Sequence, residues 1–397
     1  MKMLPWIGKS LDGKLEILLR VAYDRLLDDE KDIFLHIACL FNHYRPEHVR
    51  QLLADNVFDV ELGLTNLHYK SLIQESIHDP GRRRFLVDSM EICDVLENSS
   101  GTKRVLGISL DMSEVEELFI SETGFSRMVN LQFLKFYTNL GNKDVNVHLP
   151  ESFDNLPRKL RLLHWKAFPM SYLPSNFHVR SIVELIMEDS KLIKLWEGIR
   201  VLKNLKYMSL RDSLCLEELP VLSTAINLEK LDLGGCSSLV ELPTSVRNLH
   251  SLMDLNMQGC INIMVLPTDN INLESLNCLN LKGCSKLGSF PEMSTNISNL
   301  YLDGTAIEEI PSWIENMSKL SYLSMNGCNE LKKFSPNISK LKLLVELDIL
   351  NCGALPREWR LSVGISPSTL IKSETTQMEE QLKKEESEVF DPKKEGI

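Results

Sequence analysis

The sequence predicts an α/β fold: a repeat solenoid, curved as a horseshoe, preceded by a small, mostly α-helical domain. Three observations predict it. Apolar runs recur in register through residues 126–356, short segments of helical apolar spacing precede them, and 43% of the 397 residues are hydrophobic, enough to bury more than one core. The organisation expected is a lead (1–13), a partial winged-helix domain (14–79), a linker (80–125), about ten repeats (126–356) and a flexible charged tail (357–397).

The repeats are the clearest signal. LxxLxL-like runs begin at Leu131, Leu160, Ile182, Leu205, Leu228, Leu252, Leu276, Ile297, Leu320 and Leu344, at gaps of 29, 22, 23, 23, 24, 24, 21, 23 and 24 residues. After the first gap this is the leucine-rich-repeat period. Each turn lays down one short strand whose alternate residues point inward, so a lone turn has no core and stacked turns share one. A cysteine slot recurs at Cys236, Cys260, Cys284, Cys328 and Cys352, where a small residue turns the chain and can bond to its neighbour's backbone. These read as structural thiols. The nine cysteines are an odd number without CxxC pairs, as expected of reduced thiols. Leu219-Pro220, Leu242-Pro243 and Leu266-Pro267 close the outer arms of their turns.

Function, if it lies in the array, lies on the concave strands, where the residues between the spine leucines form one open surface. The candidate protein-binding residues are Tyr207, Ser209, Arg211, Lys230, Asp232, Asp254, Asn256, Asn280, Tyr301, Asp303, Tyr322, Ser324 and Asn326. Strands spaced about 4.8 Å apart give a face on the order of 45 Å long, enough for a protein-sized partner.

In the N-terminal segments, Leu15, Leu18, Leu19, Ala22 and Leu26 share a helical face, as do Ile33, Phe34, Ile37, Ala38 and Phe41 after the acidic start Asp28-Asp29-Glu30. Pro46 suits a first helical turn and leads Val49, Leu52 and Leu53; Leu62, Leu64, Leu67 and Leu72-Ile73 suggest a further helix running into a strand. His36, Cys39, His43 and His48 could ligate zinc, but the helix around the first two is otherwise apolar inward and no second cysteine or carboxylate completes a set. A core histidine is expected and no metal.

The formal charge of −11 speaks against nucleic acid and anionic membrane as partners. No stretch approaches the roughly 20 apolar residues of a membrane helix, and the N-terminus turns polar before a signal-peptide core could form, so an intracellular protein is expected.

Several runs carry a resemblance. Leu19-Arg20-Val21-Ala22-Tyr23-Asp24-Arg25-Leu26, Asp32-Ile33-Phe34-Leu35-His36-Ile37-Ala38-Cys39-Leu40-Phe41 and Lys70-Ser71-Leu72-Ile73 closely resemble the winged-helix part of plant TIR-NB-LRR disease resistance proteins. Pro80 to Asp88 and Gly101 to Ile108 look like that family's linker into its repeats; Leu162-Leu163-His164-Trp165 and Lys194 to Ile199 look like the repeats themselves. The likeness runs from about Ser10 to Ala354. It implies an immune receptor of the cytoplasm, with the nucleus as a second compartment, whose repeats recognise a pathogen effector or a host protein.

Departures limit what is carried over. In the family a nucleotide switch binds ADP or ATP and a TIR domain cleaves NAD. Here no GxxxxGK[ST] run and no TIR domain is found, so no catalytic residue and no cofactor is expected in this chain. Lys70-Ser71-Leu72-Ile73 passes almost directly into Gln74 to Pro80, so the family's sensor segment reads as deleted, and the nucleotide-sensing role is not carried to His78 of Ile77-His78-Asp79. Residues 372–397 hold five Lys against eight Asp or Glu. The expected function is a binding module that recognises an effector, a host protein or an intact paralogous receptor. The alternatives are a nonfunctional truncated remnant, or a fragment of a longer receptor with its NAD-cleaving and nucleotide-binding parts.

Overall fold

The computed structural model describes residues 26–41, 46–53, 84–139, 145–267, 273–292 and 294–354. The helix expected ahead of Leu26, the segment from Leu62 to Ile73, the Ile77-His78-Asp79 run and the tail lie outside them. The chain divides into two compact units, Met1–Ser237 with Pro243–His250, and Ser238–Leu242 with Ser251–Ile397.

In the first unit two helices, α1 (Asp28–Cys39) and α2 (Pro46–Leu53), precede the strands. Then come β1 (Phe85–Leu86), α3 (Ser89–Glu97), β2 (Gly107–Asp111), β3 (Glu117–Phe119), β4 (Phe133–Tyr137), β5 (Asn146–His148), β6 (Leu162–Trp165), β7 (Glu184–Ile186), β8 (Tyr207–Ser209) and β9 (Lys230–Asp232). Their sheet runs β1-β2-β4-β6-β7-β8-β9, all parallel; β3 and β5 pair separately. The second unit holds β10 (Asp254–Asn256), β11 (Cys278–Asn280), β12 (Asn299–Tyr301), β13 (Glu309–Ile310), β14 (Tyr322–Ser324), β15 (Lys333–Phe334) and β16 (Glu346–Asp348). There the order is β10-β11-β12-β14-β16, also parallel, with β13 and β15 paired on the return side.

Strands this short would not persist alone; side-chain ladders between turns hold them. The leucines of the period fill the inside, as Leu276, Leu279 and Leu281 do with no exposure at all. The cysteine slot behaves as its spacing suggested. Cys236 Sγ donates to the Leu210 carbonyl, Cys284 to Met257, Cys328 to Leu302 and Cys352 to Met325, each at 3.1 Å. Burial pushes the Cys236 and Cys284 thiols up to about 12, so they stay protonated and unreactive. A second ladder escaped the sequence reading: Asn204, Asn227 and Asn296, each just before its turn's first apolar residue, donate through Nδ2 to Arg180, Lys203 and Glu274 carbonyls at 2.8, 2.7 and 2.9 Å. Both ladders satisfy backbone acceptors that the stacking would otherwise bury unpaired.

Strands β6 to β12, β14 and β16 each leave through one left-handed residue, Ala167 with φ +55° after β6. Glycine fills that place at Gly235, Gly259, Gly283, Gly304 and Gly327, with φ between +67° and +77°, and Asp189, Asp212 and Asn351 fill it with φ of +54° to +57°.

The segment expected as a linker belongs to the stack from Arg84 onward. Val105, Ile108 and Leu110 take inward positions with at most 2% exposure, and β2 pairs β4 over five residues. This turn was missed because it lacks leucine at its first two positions.

Helices α1 and α2 cover strands of their own unit. Ile33, Phe34, Ile37, Phe41, Val49, Leu52 and Leu53 form one buried cluster with Phe85, Phe133, Leu162, Val183 and Ile186. Each such fully buried side chain contributes about 1.5–3 kcal/mol. Arg161 fixes the end of α2, its Nε donating to the Leu52 carbonyl at 2.6 Å and its Nη2 to the Gln51 carbonyl at 3.2 Å, where the helix dipole favours a cation. Arg84 pairs with Asp32 of α1. His36 is a core histidine: its Nδ1–H donates to the Asp32 carbonyl at 2.6 Å, its ring stands edge-on to Phe85 and Phe133, and burial lowers its pKa.

Candidate functional site

The outward positions of the strands, those between the spine residues, differ between the two units. In the first, Phe133, Leu162 and Ile186 occupy outward positions yet are buried beneath α1 and α2. Tyr207 packs against the same cluster, and Ser209 is fully buried, its hydroxyl donating to Glu188 Oε1 at 2.8 Å. Arg211 lies 3.3 Å from Asp212 and 3.9 Å from Asp232, and Lys206 pairs with Glu229 at 2.7 Å. Lys230 is exposed.

On these same covered strands lies a group of ionisable side chains that the sequence reading did not single out. Burial raises Glu184 to about 7 against the pull of Lys135; burial lowers Lys135 to about 8; and burial, then Lys135 and Lys166, lower His164 to about 3. The signal was present in Lys135, His164 and Glu184 at corresponding outward positions or next to them, but charged residues there read as solvent-facing until something covers them.

The second unit presents its outward face differently. The register aligns Asp254, Cys278, Asn299, Tyr322 and Glu346 in one row and Asn256, Asn280, Tyr301, Ser324 and Asp348 in the next. Tyr301 and Tyr322 meet with ring centroids 5.1 Å apart and planes at 41°. Burial raises both phenols first; Cys278 and then Glu346, Asp254 and Asp303 raise Tyr301 further, and Asp348, Glu346 and Asp303 raise Tyr322 against the hydrogen bond with Ser324. Asn326 ties the flanking carboxylates together: its backbone N–H donates to Asp303 Oδ1 at 2.9 Å, its Nδ2 to Asp348 Oδ2 at 2.6 Å, and its Oδ1 accepts from the Leu350 N–H at 2.7 Å. Ser324 Oγ donates to Asp303 at 2.6 Å, and both residues are buried. Asn280 Nδ2 donates to Gln258 at 3.4 Å, and Asn256 Oδ1 accepts from the Gln258 N–H at 3.1 Å.

Of the candidate residues, then, Asp254, Asn256, Asn280, Tyr301, Tyr322 and Asn326 share one accessible face of the second unit, and Asp303 and Ser324 serve inside it as supports, while Ser209 is buried in the first unit. Glu346 and Asp348 were overlooked because the candidate set stopped one strand early. Their signal was the alternation Val345-Glu346-Leu347-Asp348 in the last copy. Such a face offers aromatic surface, amides and negative charge on rigid strands, suited to holding a protein surface.

A separate concavity of about 390 Å³ in the first unit is lined by Tyr172, Trp196, Lys194 and Arg200 among others. Its cations are already engaged. Lys194 pairs with Glu218 at 3.1 Å, and Arg200 donates to the Phe177 and Ser175 carbonyls at 2.9 Å.

Residues 28–91 match the model of the Roq1-like disease resistance protein winged-helix domain. Among Arabidopsis thaliana proteins, Disease resistance protein RPS6 is 38% identical over 88% of this chain and 43% of its own length. Disease resistance-like protein DSC2 is 47% identical over 81% of the chain and 30% of its length, and Disease resistance protein TAO1 is 41% identical over 62% and 23%. The chain therefore spans less than half the length of these relatives. Among solved structures it resembles the Leptospira interrogans LRR protein LIC12759 (17% identity, 76% of this chain and 100% of that one, TM-score 0.35) and a chain of the Drosophila Toll–Spatzle complex (14%, 76% and 46%, TM-score 0.43). Through its winged-helix match and its sequence identity across the repeats, the chain is a homologue of the plant TIR-NB-LRR disease resistance proteins.

Proposed function

We propose that this chain acts in plant immunity as a recognition module, its second unit binding a pathogen effector or a host protein through the outward face of β10 to β16. The observation that carries this reading is the accessible Tyr301–Tyr322 pair, set among amides and carboxylates on a face that nothing among the described residues of that unit covers. Aromatic residues anchored on rigid backbone are the side chains that most often dominate protein interfaces. The arrangement works by holding. No step of bond-making is assigned to this chain, and ADP or ATP is not among its ligands. The site of action is the cytoplasm, with the nucleus as a second compartment; no helix among the described residues is long and apolar enough to cross a membrane. An intact paralogous receptor is the other partner consistent with this face.

Co-precipitation of the tagged chain from plant tissue, beside Tyr301→Ala/Tyr322→Ala, tests the reading. Recovery of a discrete protein that rebinds when purified and is lost with the double variant supports it. Recovery of chaperones alone from both chains indicates a misfolded remnant instead.

A further inference from the structure

We infer that the partner presents an arginine, its guanidinium stacking on the Tyr301–Tyr322 pair and bonding to the carboxylates around it. The inference rests on the proposed protein-binding role of this face and names the chemistry of what is bound.

Three features converge. The aromatic pair is tilted, not stacked flat, so ring faces remain available beside the rows that β14 and β16 align in register. Around it stand Asp254, Asp303, Glu346 and Asp348, the acidic groups that act on the two phenols. Finally, among the described residues no ion pair compensates the charge of Glu346 and Asp348. In the first unit, Lys206 pairs with Glu229 and Arg211 lies 3.9 Å from Asp232. In the second, ion pairs among the described residues join Lys332, Lys333 and Lys340 to glutamates on the return side, and none involves Asp303, Glu346 or Asp348.

Charge complementarity therefore selects a cation, and geometry selects arginine. A guanidinium is planar, stacks on aromatic faces and bonds carboxylates in a fork, whereas an ammonium offers a compact charge to one partner at a time. Asn326, itself held by the buried Asp303, fixes Asp348 as an acceptor before the partner arrives, so little ordering remains to be done on binding. An acidic or phosphorylated segment would meet like charge, and a purely apolar one would desolvate Glu346 and Asp348 without replacing their water.

The test uses the full chain and a short fluorescein-labelled Gly-Ser peptide carrying several arginines, beside its lysine counterpart, with anisotropy as readout. The arginine peptide is expected to bind more tightly than the lysine one. Tyr301→Leu/Tyr322→Leu and Glu346→Gln/Asp348→Asn should each weaken it about tenfold. Tyr301→Phe/Tyr322→Phe, which keeps the rings, should bind as the parent does. So should Glu308→Gln/Glu309→Gln, which removes as many charges on the return side. Circular dichroism establishes that each variant is folded. Equal loss in the return-side variant, indifference to the tyrosines, or absence of saturable binding overturns the inference. If the co-precipitated partner still depends on the tyrosines while the peptide does not, the arginine chemistry fails and the recognition role stands; if the partner binds without the tyrosines, the role itself fails.

Discussion

Gly235 and Gly327 occupy equivalent left-handed positions but differ in their surroundings. A Cβ on Gly235 would run into Asp212 Oδ1, whereas nothing lies within 4 Å of one on Gly327. Gly327→Ala should cost about 1 kcal/mol from backbone strain alone, and Gly235→Ala more, about 2 kcal/mol. Urea titration of the two variants reads this directly, and equal losses would show that Asp212 moves aside freely. Glu184 supplies a second prediction at this scale. Its pKa is raised to about 7 when folded, so the proton is held more tightly in the native chain. Its contribution to stability is complete below the unfolded value and is lost as pH rises through about 7. Between pH 4.5 and 7 the parent should lose on the order of 3 kcal/mol relative to Glu184→Gln. Parallel pH profiles would mean that the Glu184 carboxylate is well solvated.

At the scale of the element, α1 and α2 are held by apolar side chains, not by their own helical strength; eight residues are too few for α2 to persist in water. Phe34→Ala should cost about 3–5 kcal/mol and release the amides of α1 and α2 to hydrogen exchange well before those of β6 and β7. Simultaneous exchange of all four would make helices and strands one cooperative piece. The thiol ladder gives the complementary case. Cys284→Ser keeps a donor for the Met257 carbonyl and Cys284→Val does not, so the valine variant should be the less stable by about 1 kcal/mol in thermal melts. The repeats were legible from sequence because identical inward positions recur: Leu228, Leu231 and Leu233 announce their strand without reference to anything distant. The helices' destination was not legible. That Ile33 and Phe34 are apolar says they are covered, and only the fold says by Phe133 and Ile186. The same gap explains the Lys135–Glu184–His164 group, whose character depends on a cover contributed from far away in the chain.

At the scale of the whole molecule, the two units use one repeat plan to different ends. The first covers strands with its own helices and pairs Lys206 with Glu229; the second leaves phenols and carboxylates accessible. Of the candidate site, the row positions could be read from the period, since Tyr301 and Tyr322 follow their spine residues by fixed steps. Their meeting at 5.1 Å could not, because it depends on one ring standing at the last position of β12 and the other at the first position of β14, where it pairs with Asn299. The left-handed exit residue has a further consequence. Since successive turns leave their strands through the same backbone shape and hand the next turn the same carbonyls, the seam between any two is interchangeable. Removal of 297–319, one turn of 23 residues, would bring Asn296 beside Leu320 with both ladders able to re-form. Such a shortened chain should still unfold cooperatively in calorimetry with a smaller enthalpy. A gene encoding this protein could thus gain or lose whole turns by misaligned exchange between its own copies, changing which side chains stand next to one another while every strand keeps its inside and its outside.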